Sequence, residues 1–182
     1  CLLSRGLGDV YKRQLSDDKL LDILSLRNSD RVRLNMANSE LISAQDHLSY
    51  CKSLSSRKDV LYFAVYINNH LEGVLDFKNI DFNEHSYESG SYFIEKSKYN
   101  ISYYANIAGF LIARALNLTA VSCYVYKNNM SAMLLNTCKL KYKIVKEDHL
   151  FYYLNKDLSD RSFDSDRCHT LLNRKFSPEF SI

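Results

Sequence analysis

Residues that interrupt regular secondary structure are scarce in this sequence. Its 182 residues include five glycines, one proline and no tryptophan. Because glycine and proline mark most turns, their scarcity predicts long, continuous helices and strands. The sequence shows neither an internal repeat nor a Gly- or Pro-rich linker, and its length is that of one domain.

The sequence also lacks the features of membrane, secreted and nucleic-acid-binding proteins. Its apolar stretches are interrupted by Tyr, Asn, Arg or Lys well short of the roughly 20 residues that a membrane span needs. No secretory pattern is present. The net charge of +3 is too small to indicate nucleic-acid binding, although it suits an anionic small molecule. We therefore expect a cytoplasmic protein with no membrane or nucleic-acid partner.

The cysteines form no motif. Their number is odd and no two have C-x-x-C spacing, so neither a disulfide framework nor a zinc site is expected. None lies in a His-paired motif of the kind that activates thiol nucleophiles, which disfavours cysteine-based catalysis. We expect reduced, structural thiols and no bound metal. The five cysteines are Cys1, Cys51, Cys123, Cys138 and Cys168.

Both ends of the chain differ in character from its body. Residues 1–14, CLLSRGLGDVYKRQ, resemble the translation of a sequencing adaptor. We exclude them from the fold and expect the native N-terminus to be missing. The body, residues 15–156, is predicted to form one domain. Residues 157–182 are polar and irregular, and we expect this tail to be loosely packed or disordered.

The hydrophobic pattern of the body predicts an alternation of helices and strands. The predicted helices are 16–28, 43–57, 101–116 and 128–140. The predicted strands are 60–68, 71–82, 86–94, 119–126, 142–147 and 149–155. A meander of three antiparallel strands followed by helix, strand, helix and two strands predicts an α/β protein with a mixed sheet and helices on both faces.

This order of elements resembles the GCN5-related N-acetyltransferase (GNAT) family. Short stretches in the same order are similar to one branch, which acetylates UDP-4-amino-4,6-dideoxy-N-acetyl-β-L-altrosamine on the route to pseudaminic acid for flagellin glycosylation. The resemblance covers roughly residues 17–155. The stretches are L-R-N-S-D at 26–30, the pair at 47–48, L-Y-F-A-V at 61–65, G-V-L-D-F-K-N-I-D at 73–81 and E-S-G-S-Y at 88–92.

The resemblance implies the acyl-CoA N-acyltransferase fold, with a largely antiparallel central sheet and acetyl-CoA as co-substrate. In that fold the strands at 88–94 and 119–126 splay apart. Free backbone groups near Tyr92 would pair with the pantetheine arm like an added strand. The following turn and the helix beginning at 101 would hold the pyrophosphate. The implied cofactor-binding residues are Phe93, Ile94, Lys98, Tyr99, Asn100, Ile101, Ser102, Asn128 and Asn129.

Two positions depart from the family pattern. The family places glycines in the pyrophosphate turn, whereas this chain has K-S-K-Y-N-I-S at 96–102. Asn100 can replace glycine in part because Asn tolerates the left-handed region, and Lys96 and Lys98 add charge. Many relatives also carry a Tyr general acid on the last helix. Here L-L-N-T-C at 134–138 offers no such acid, although one is not obligatory for a thiolate leaving group.

Three residues are candidates for catalysis. Asp76 is the first choice for the base or amine anchor because it interrupts the apolar strand V-L-D-F. A carboxylate is rarely buried in such a strand unless it is paired or functional. Glu88 could serve as a base through water, and Tyr92 aligns with a family Tyr near the acetyl group. The alternatives are a solvent-facing strand position for Asp76 and a packed core aromatic for Tyr92.

Three more residues are candidates for binding the acceptor. Arg27 could hold a phosphate through two hydrogen bonds, and the resemblance implies acceptor recognition near Arg27 and Asn28. The alternative for Arg27 is a cation at a helix C-terminus. His47 shares a helix face with Leu48 and Cys51, and a hydrogen-bonded core histidine or a surface histidine is the more common outcome at such a position.

The sequence therefore predicts an N-acetyltransferase that moves an acetyl group from acetyl-CoA to the amine of a UDP-linked amino sugar. A GNAT enzyme with another small amine acceptor stays open, as does a catalytically inactive GNAT-fold module for binding or assembly. A homodimer is also left open. Tyr99, Tyr103 and Tyr104 beside two lysines could stack on nucleic-acid bases, but the small net charge disfavours that function.

Overall fold

A six-stranded sheet forms the centre of the computed structural model, which describes residues 15–94, 100–159 and 164–175. The strands are β1 (Leu61–Ile67), β2 (His70–Asp81), β3 (Ser86–Phe93), β4 (Ala120–Tyr126), β5 (Lys143–Glu147) and β6 (Phe151–Asp157). Their order across the sheet is β1-β2-β3-β4-β6-β5. Only the β3–β4 pair is parallel among these strands. The predicted mixed, largely antiparallel sheet is confirmed.

Helices flank this sheet. They are α1 (Asp17–Asn28), α2 (Asp30–Arg33), α3 (Ala44–Ser53), α4 (Ile101–Ala115), α5 (Met130–Leu134) and α6 (Ser165–Lys175). A 3₁₀ turn follows α3 at Leu54–Ser56, and α5 continues as a π-helical turn at Leu135–Lys139. Among the described residues, no helix is both long and apolar enough to span a membrane. The predicted helices and strands agree with these bounds to within a few residues, whereas α2 and α6 were not predicted.

The β1–β2 hairpin is produced by its turn residues. Asn68 and Asn69 both have positive φ, 49° and 64°. Asparagine tolerates this region better than other non-glycine residues, and two consecutive positive φ values match the twist of a two-residue hairpin. The turn predicted from the N-N-H sequence is confirmed.

The sheet separates two layers of helices. In α4, a Cβ atom at Gly109 would lie 2.6 Å from Leu75 Cδ2, so this helix packs closely on the face that carries Leu75. The next residue, Asp76, points to the opposite face because successive strand residues alternate. Tyr62 is its partner on β1, and the Tyr62 hydroxyl lies 3.0 Å from that of Tyr50 in α3. One sheet face therefore carries α4, and the other carries α3.

The tail contains an ordered helix that the sequence did not predict. In α6, Cys168 and Leu172 are buried in the main hydrophobic core. These two residues are four apart, so they lie on one helix face, and Asp164 caps the helix by accepting from the Arg167 N–H at 2.9 Å. The prediction of a loosely packed or disordered tail is wrong for residues 164–175. A single apolar pair in a polar stretch gave too weak a periodic signal.

Candidate active site

Strands β3 and β4 pair over only three residues and then diverge. The parallel pairs join Ser86 to Ala120, Tyr87 to Val121 and Glu88 to Ser122. Beyond Glu88 the two strands enclose a cleft of about 630 Å³. The splayed strand pair that the sequence predicted is therefore present, and its open end forms a cavity between the two sheet faces.

The backbone of β3 offers free hydrogen-bonding groups to this cleft. The Ile94 N–H donates to Glu72 O at 2.8 Å, and the unbroken antiparallel register places Tyr92 at an equivalent position facing β2. Backbone groups alternate between the two sides of a strand, so those of Ser91 and Phe93 point away from β2 into the cleft. Of the predicted residues near the pantetheine arm, Phe93 has this direction, whereas Tyr92 and Ile94 do not. Ser91 was missed, although strand parity could have identified it.

The N-terminus of α4 borders the cleft. Asn100 precedes the helix in the left-handed conformation, with φ 53° and ψ 39°, as its sequence context predicted. Asn100, Ile101 and Ser102 all line the cleft. A helix N-terminus favours anionic groups through its N–H groups and its dipole. Lys98 and Tyr99, also predicted to bind cofactor, lie outside the described residues.

A buried amide supports this helix end. Asn106 is 5% exposed, and its Nδ2 donates to Ser102 O at 2.8 Å and lies 3.5 Å from Ser91 Oγ. It links the first turn of α4 to the strand whose backbone faces the cleft. Sequence patterns did not identify Asn106, because a single Asn within a helix is as typical of an exposed position as of a buried one.

The two asparagines after β4 have different positions. Asn129 lines the cleft and caps α5, with its Oδ1 accepting from the Ala132 N–H at 3.1 Å. Asn128 is exposed in the preceding turn and does not line the cleft. Only Asn129 is therefore placed to combine the cap with the cofactor contact that was predicted for this pair.

Asp76 is a buried carboxylate on the α3 side of the cleft. It is 4% exposed, and Lys78 Nζ lies 3.2 Å from its Oδ1. This ion pair is not well aligned as a hydrogen bond, and among the described residues Oδ1 has no other partner. Burial raises the pKa of the Asp76 carboxyl, and the Lys78 ammonium opposes that rise. The solvent-facing interpretation is excluded, because the carboxylate is buried in the cleft beside the Lys78 ammonium and the Gly90 backbone.

Tyr92 and Glu88 share this face with Asp76. Burial, and to a lesser extent the Asp76 charge, raises the pKa of the Tyr92 hydroxyl, so it stays protonated near neutral pH. Glu88 lies opposite Lys78 in the strand register and accepts from Asn79 Nδ2 at 3.4 Å. All three predicted catalytic residues line the same cleft.

Two further tyrosines extend this group toward the surface. Burial raises the pKa of Tyr62, with the nearby Asp76 charge as the next contribution. The hydroxyl of Tyr62 meets that of Tyr50, which is 41% exposed. Asp76, Tyr62 and Tyr50 thus follow one another from the cleft to the surface of α3. Neither tyrosine was predicted as a site residue.

Arg27, Asn28 and His47 do not line the cleft. Arg27 Nη2 donates to Asn38 O at 2.7 Å, while its Nη1 is buried without a partner among the described residues. The Asn28 side chain donates to Ile42 O at 2.8 Å and accepts from Ile42 N–H at 3.0 Å. These contacts hold the segment after α1, and the Arg27 charge is still close enough to act on the Tyr92 hydroxyl.

His47 is a core histidine, as its alternative interpretation proposed. Its Nε2 lies 2.9 Å from Leu20 O and 3.6 Å from Cys51 Sγ, which joins α3 to α1. Burial lowers the pKa of the imidazole, so the neutral form is favoured.

The chain was compared with known proteins by sequence and by structure. No protein-family model and no curated protein matches the sequence. Campylobacter jejuni N-acetyltransferase PseH, solved in complex with acetyl coenzyme A, has a TM-score of 0.61 and 25% identity, covering 79% of this chain and 93% of that chain. Spermidine N-acetyltransferase from Vibrio cholerae has a TM-score of 0.69 and 15% identity, and the match covers 81% of this chain and 94% of that chain. Ribosomal-protein-alanine N-acetyltransferase from Brucella melitensis has a TM-score of 0.64 and 14% identity, and the match covers 80% of this chain and 98% of that chain.

This chain has the GCN5-related N-acetyltransferase fold. Its strongest sequence resemblance among these three structures is to PseH. The GNAT fold accounts for the diverging β3–β4 pair and for the helix N-terminus beside it.

Asn136 and Thr137 lie in the π-helical turn that continues α5. Asn136 lines the cleft, and its Nδ2 donates to Ala132 O at 2.9 Å. The Thr137 hydroxyl donates to Met133 O at 2.7 Å. Tyr142, which follows the π-helical turn, is buried, and burial raises its pKa well above the ordinary value. None of these groups is a proton donor of useful acidity near neutral pH.

No metal site is formed by the described part of this GNAT fold. Across residues 15–94, 100–159 and 164–175, no three His, Cys, Asp or Glu side chains lie close enough together to hold an ion. The cysteines in these ranges, Cys51, Cys123, Cys138 and Cys168, are free thiols.

Proposed function

We propose that this protein is an acetyl-CoA-dependent N-acetyltransferase whose acceptor is the amine of a nucleotide-linked amino sugar. The observation that carries the proposal is the cleft through the sheet. Its α4 side offers a helix N-terminus and free strand backbone, and its α3 side offers the buried carboxylate of Asp76. The similarity to PseH in complex with acetyl coenzyme A supports this assignment.

The residues on the α4 side fit acetyl-CoA. The backbone groups of Ser91 and Phe93 would pair with the amides of the pantetheine arm, in the manner of an added strand. Asn100 and the first turn of α4 would receive the pyrophosphate. Asn129, at the start of α5, would contact the arm from the other side of the cleft. When bound, acetyl-CoA supplies an activated acyl carbon to an amine nucleophile.

Asp76 would prepare the acceptor amine. A sugar ammonium must lose a proton before its nitrogen attacks, and a carboxylate with a raised pKa accepts that proton more readily than an exposed one. The nitrogen would then form a bond to the acyl carbon and release its second proton to water, while the carbon–sulfur bond breaks and CoA leaves as a thiolate. Thiols have a pKa near roughly 8.5, so water can return a proton to sulfur without an acid at Asn136.

Tyr92 and Glu88 would orient the reacting groups. The Tyr92 hydroxyl would donate a hydrogen bond, either to the acyl oxygen or to the acceptor, because its raised pKa keeps it protonated. Glu88 lies across from Lys78 and is the alternative proton acceptor through a water molecule. The Tyr62 hydroxyl, which lies 3.0 Å from that of Tyr50, is within the electrostatic influence of the Asp76 carboxylate.

The charges around the cleft favour an anionic acceptor. Its described lining includes the cations Arg31, Lys78 and Lys139 and the two carboxylates Asp76 and Glu88. A polyamine acceptor would favour the opposite balance. We extend the proposal to a UDP-4-amino-4,6-dideoxy sugar, a cytoplasmic reaction and the route to pseudaminic acid for flagellin glycosylation. The PseH similarity and the sequence stretches quoted above support this extension.

Calorimetric titration of acetyl-CoA tests the first half of the proposal, and thiol release in the presence of UDP-amino sugar tests the second. We expect micromolar binding, and acetyl transfer that is strongly reduced in Asp76→Asn but unchanged in Asp18→Asn, whose exposed side chain lies on α1. If the folded protein does not bind acetyl-CoA at millimolar concentration, the assignment as an acetyltransferase is refuted. It would instead favour an inactive GNAT-fold binding module, the alternative that the glycine-free turn at 96–102 keeps open.

A further inference from the structure

Three arginines follow one another at the end of α1 and in α2, and two of them are engaged. Arg27 Nη2 donates to Asn38 O at 2.7 Å. Arg33 Nε donates to Asp30 Oδ1 at 2.9 Å, and its Nη1 donates to Ser39 O at 3.0 Å. Arg31, in contrast, lines the cleft, and no hydrogen bond or ion pair within the described residues engages its guanidinium. Its five donors are therefore available to a ligand.

The backbone that carries Arg31 is held in place. Arg31 O accepts from Asn35 Nδ2 at 2.8 Å. The two hydrogen bonds between Asn28 and the Ile42 backbone close the segment from the other end. The segment 29–42 is thus fixed by its own side chains, so binding a ligand would order only the Arg31 side chain, at a small entropic cost.

Arg31 follows α1, in the helical layer that lies on the Asp76 side of the sheet. Asp76 faces away from α4, toward the helical layer that contains α1 and α3, and α1 packs against both α3 and β2. Arg31 follows α1 and lines the same cavity as Asp76. Lys78 is already paired with Asp76, so it is less available to a second anion. The α4 N-terminus, where the cofactor phosphates would bind, is on the other side of the sheet.

We propose that Arg31 is the residue that binds the anionic part of the acceptor, a phosphate of its nucleotide, while Asp76 receives the amine. This inference rests on the proposed function. A guanidinium binds phosphate through two parallel hydrogen bonds, which fixes orientation as well as distance. Arg31 thereby replaces Arg27, which the sequence had suggested for this contact and which holds Asn38 instead.

Titration with UDP alone tests the site without relying on catalysis. We expect Arg31→Ala to weaken UDP binding by about tenfold, because one charge-assisted contact at an exposed position is lost. Arg31→Lys should recover part of the affinity, since lysine keeps the positive charge but not the paired N–H donors of the guanidinium. The matched control is Arg174→Ala, an exposed arginine on α6 away from the cleft. Equal UDP affinity in wild type and Arg31→Ala, or no UDP binding by wild type, would overturn the inference.

Kinetics separate this inference from the proposed function. In Arg31→Ala we expect the KM for a UDP-linked amino sugar to rise by about tenfold, with the KM for acetyl-CoA and the rate with a phosphate-free amino glycoside unchanged. An equal rise in both KM values would contradict a specific acceptor contact. Absence of acetyl transfer together with Arg31-dependent UDP binding would refute the enzyme assignment while retaining the anion site.

Discussion

Gly90 in β3 leaves the space that the Asp76 carboxylate occupies, since a Cβ atom at Gly90 would lie 2.4 Å from Asp76 Oδ1. We expect Gly90→Ala to lower the free energy of unfolding by about 1–3 kcal/mol, the usual cost of forcing one extra carbon into a packed site. Chemical denaturation measures this loss. In the double variant Gly90→Ala/Asp76→Ala the clash is removed, so the two effects should be strongly non-additive. Additive losses would show that the two residues do not compete for space.

Because the pKa of Asp76 is raised, the substitution Asp76→Asn should increase stability at neutral pH but decrease activity. A carboxyl whose pKa is higher in the folded state binds protons more tightly there than in the unfolded chain. Stability is therefore lost as pH rises from the unfolded pKa through the folded pKa. Asp76→Asn cannot ionise, so it should be more stable than wild type at pH 7. This advantage should shrink toward pH 4, because the unfolded carboxyl, with a pKa of roughly 3.9, then also begins to bind protons.

The same titration should appear in the rate. Acetyl transfer by wild type should fall as pH decreases through the raised Asp76 pKa, and Asp76→Asn should lose both activity and this acid limb. Thermal unfolding from pH 4 to pH 8, together with thiol release over the same range, measures both effects. If Asp76→Asn proves less stable than wild type at pH 7, the Lys78 ion pair outweighs the desolvation of the carboxylate.

Sequence patterns were sufficient for most of the fold. Period-two and period-3.6 repeats identified six strands and the main helices, and the carboxylate within V-L-D-F identified Asp76. These features are local, so a single segment carries them. The α6 helix escaped because its contribution to the core is the pair Cys168 and Leu172, and only tertiary contact with α4 distinguishes that pair from an irregular tail.

The acceptor side of the site was the least predictable part. Arg27, Asn28 and His47 were plausible ligands by residue type, yet their hydrogen bonds are made to backbone atoms far along the chain. Arg31 belongs to a four-residue helix with no periodic signal, and the lining residues Asn35, Met36 and Ala37 follow that helix. Which of two neighbouring arginines faces a cleft depends on packing between elements, and no local pattern encodes it.

The left-handed backbone at Asn100 predicts which replacements retain the cofactor site. With φ 53°, a β-branched residue such as valine should cost about 1–2 kcal/mol of stability, whereas glycine accepts this conformation without strain. We expect Asn100→Gly to retain acetyl-CoA binding and Asn100→Val to weaken it, because the start of α4 would shift. Calorimetric titration of both folded variants gives the comparison. Comparable affinities for the two would show that the left-handed residue does not position the helix N-terminus.

The burial of α6 predicts that the end of the described chain contributes to stability. Leu172 is 5% exposed and packs in the same core as residues of α4 and the sheet. Leu172→Ala should lower the free energy of unfolding by about 2–4 kcal/mol, the usual range for a leucine truncated in a core. The matched control is Thr170→Ala, an exposed position on the same helix, which should change stability by less than about 0.5 kcal/mol. Urea unfolding measures both. Equal, small effects of the two substitutions would mean that α6 is detached in solution, and the cysteine at position 168 would then react with a thiol reagent as readily as the exposed Cys138.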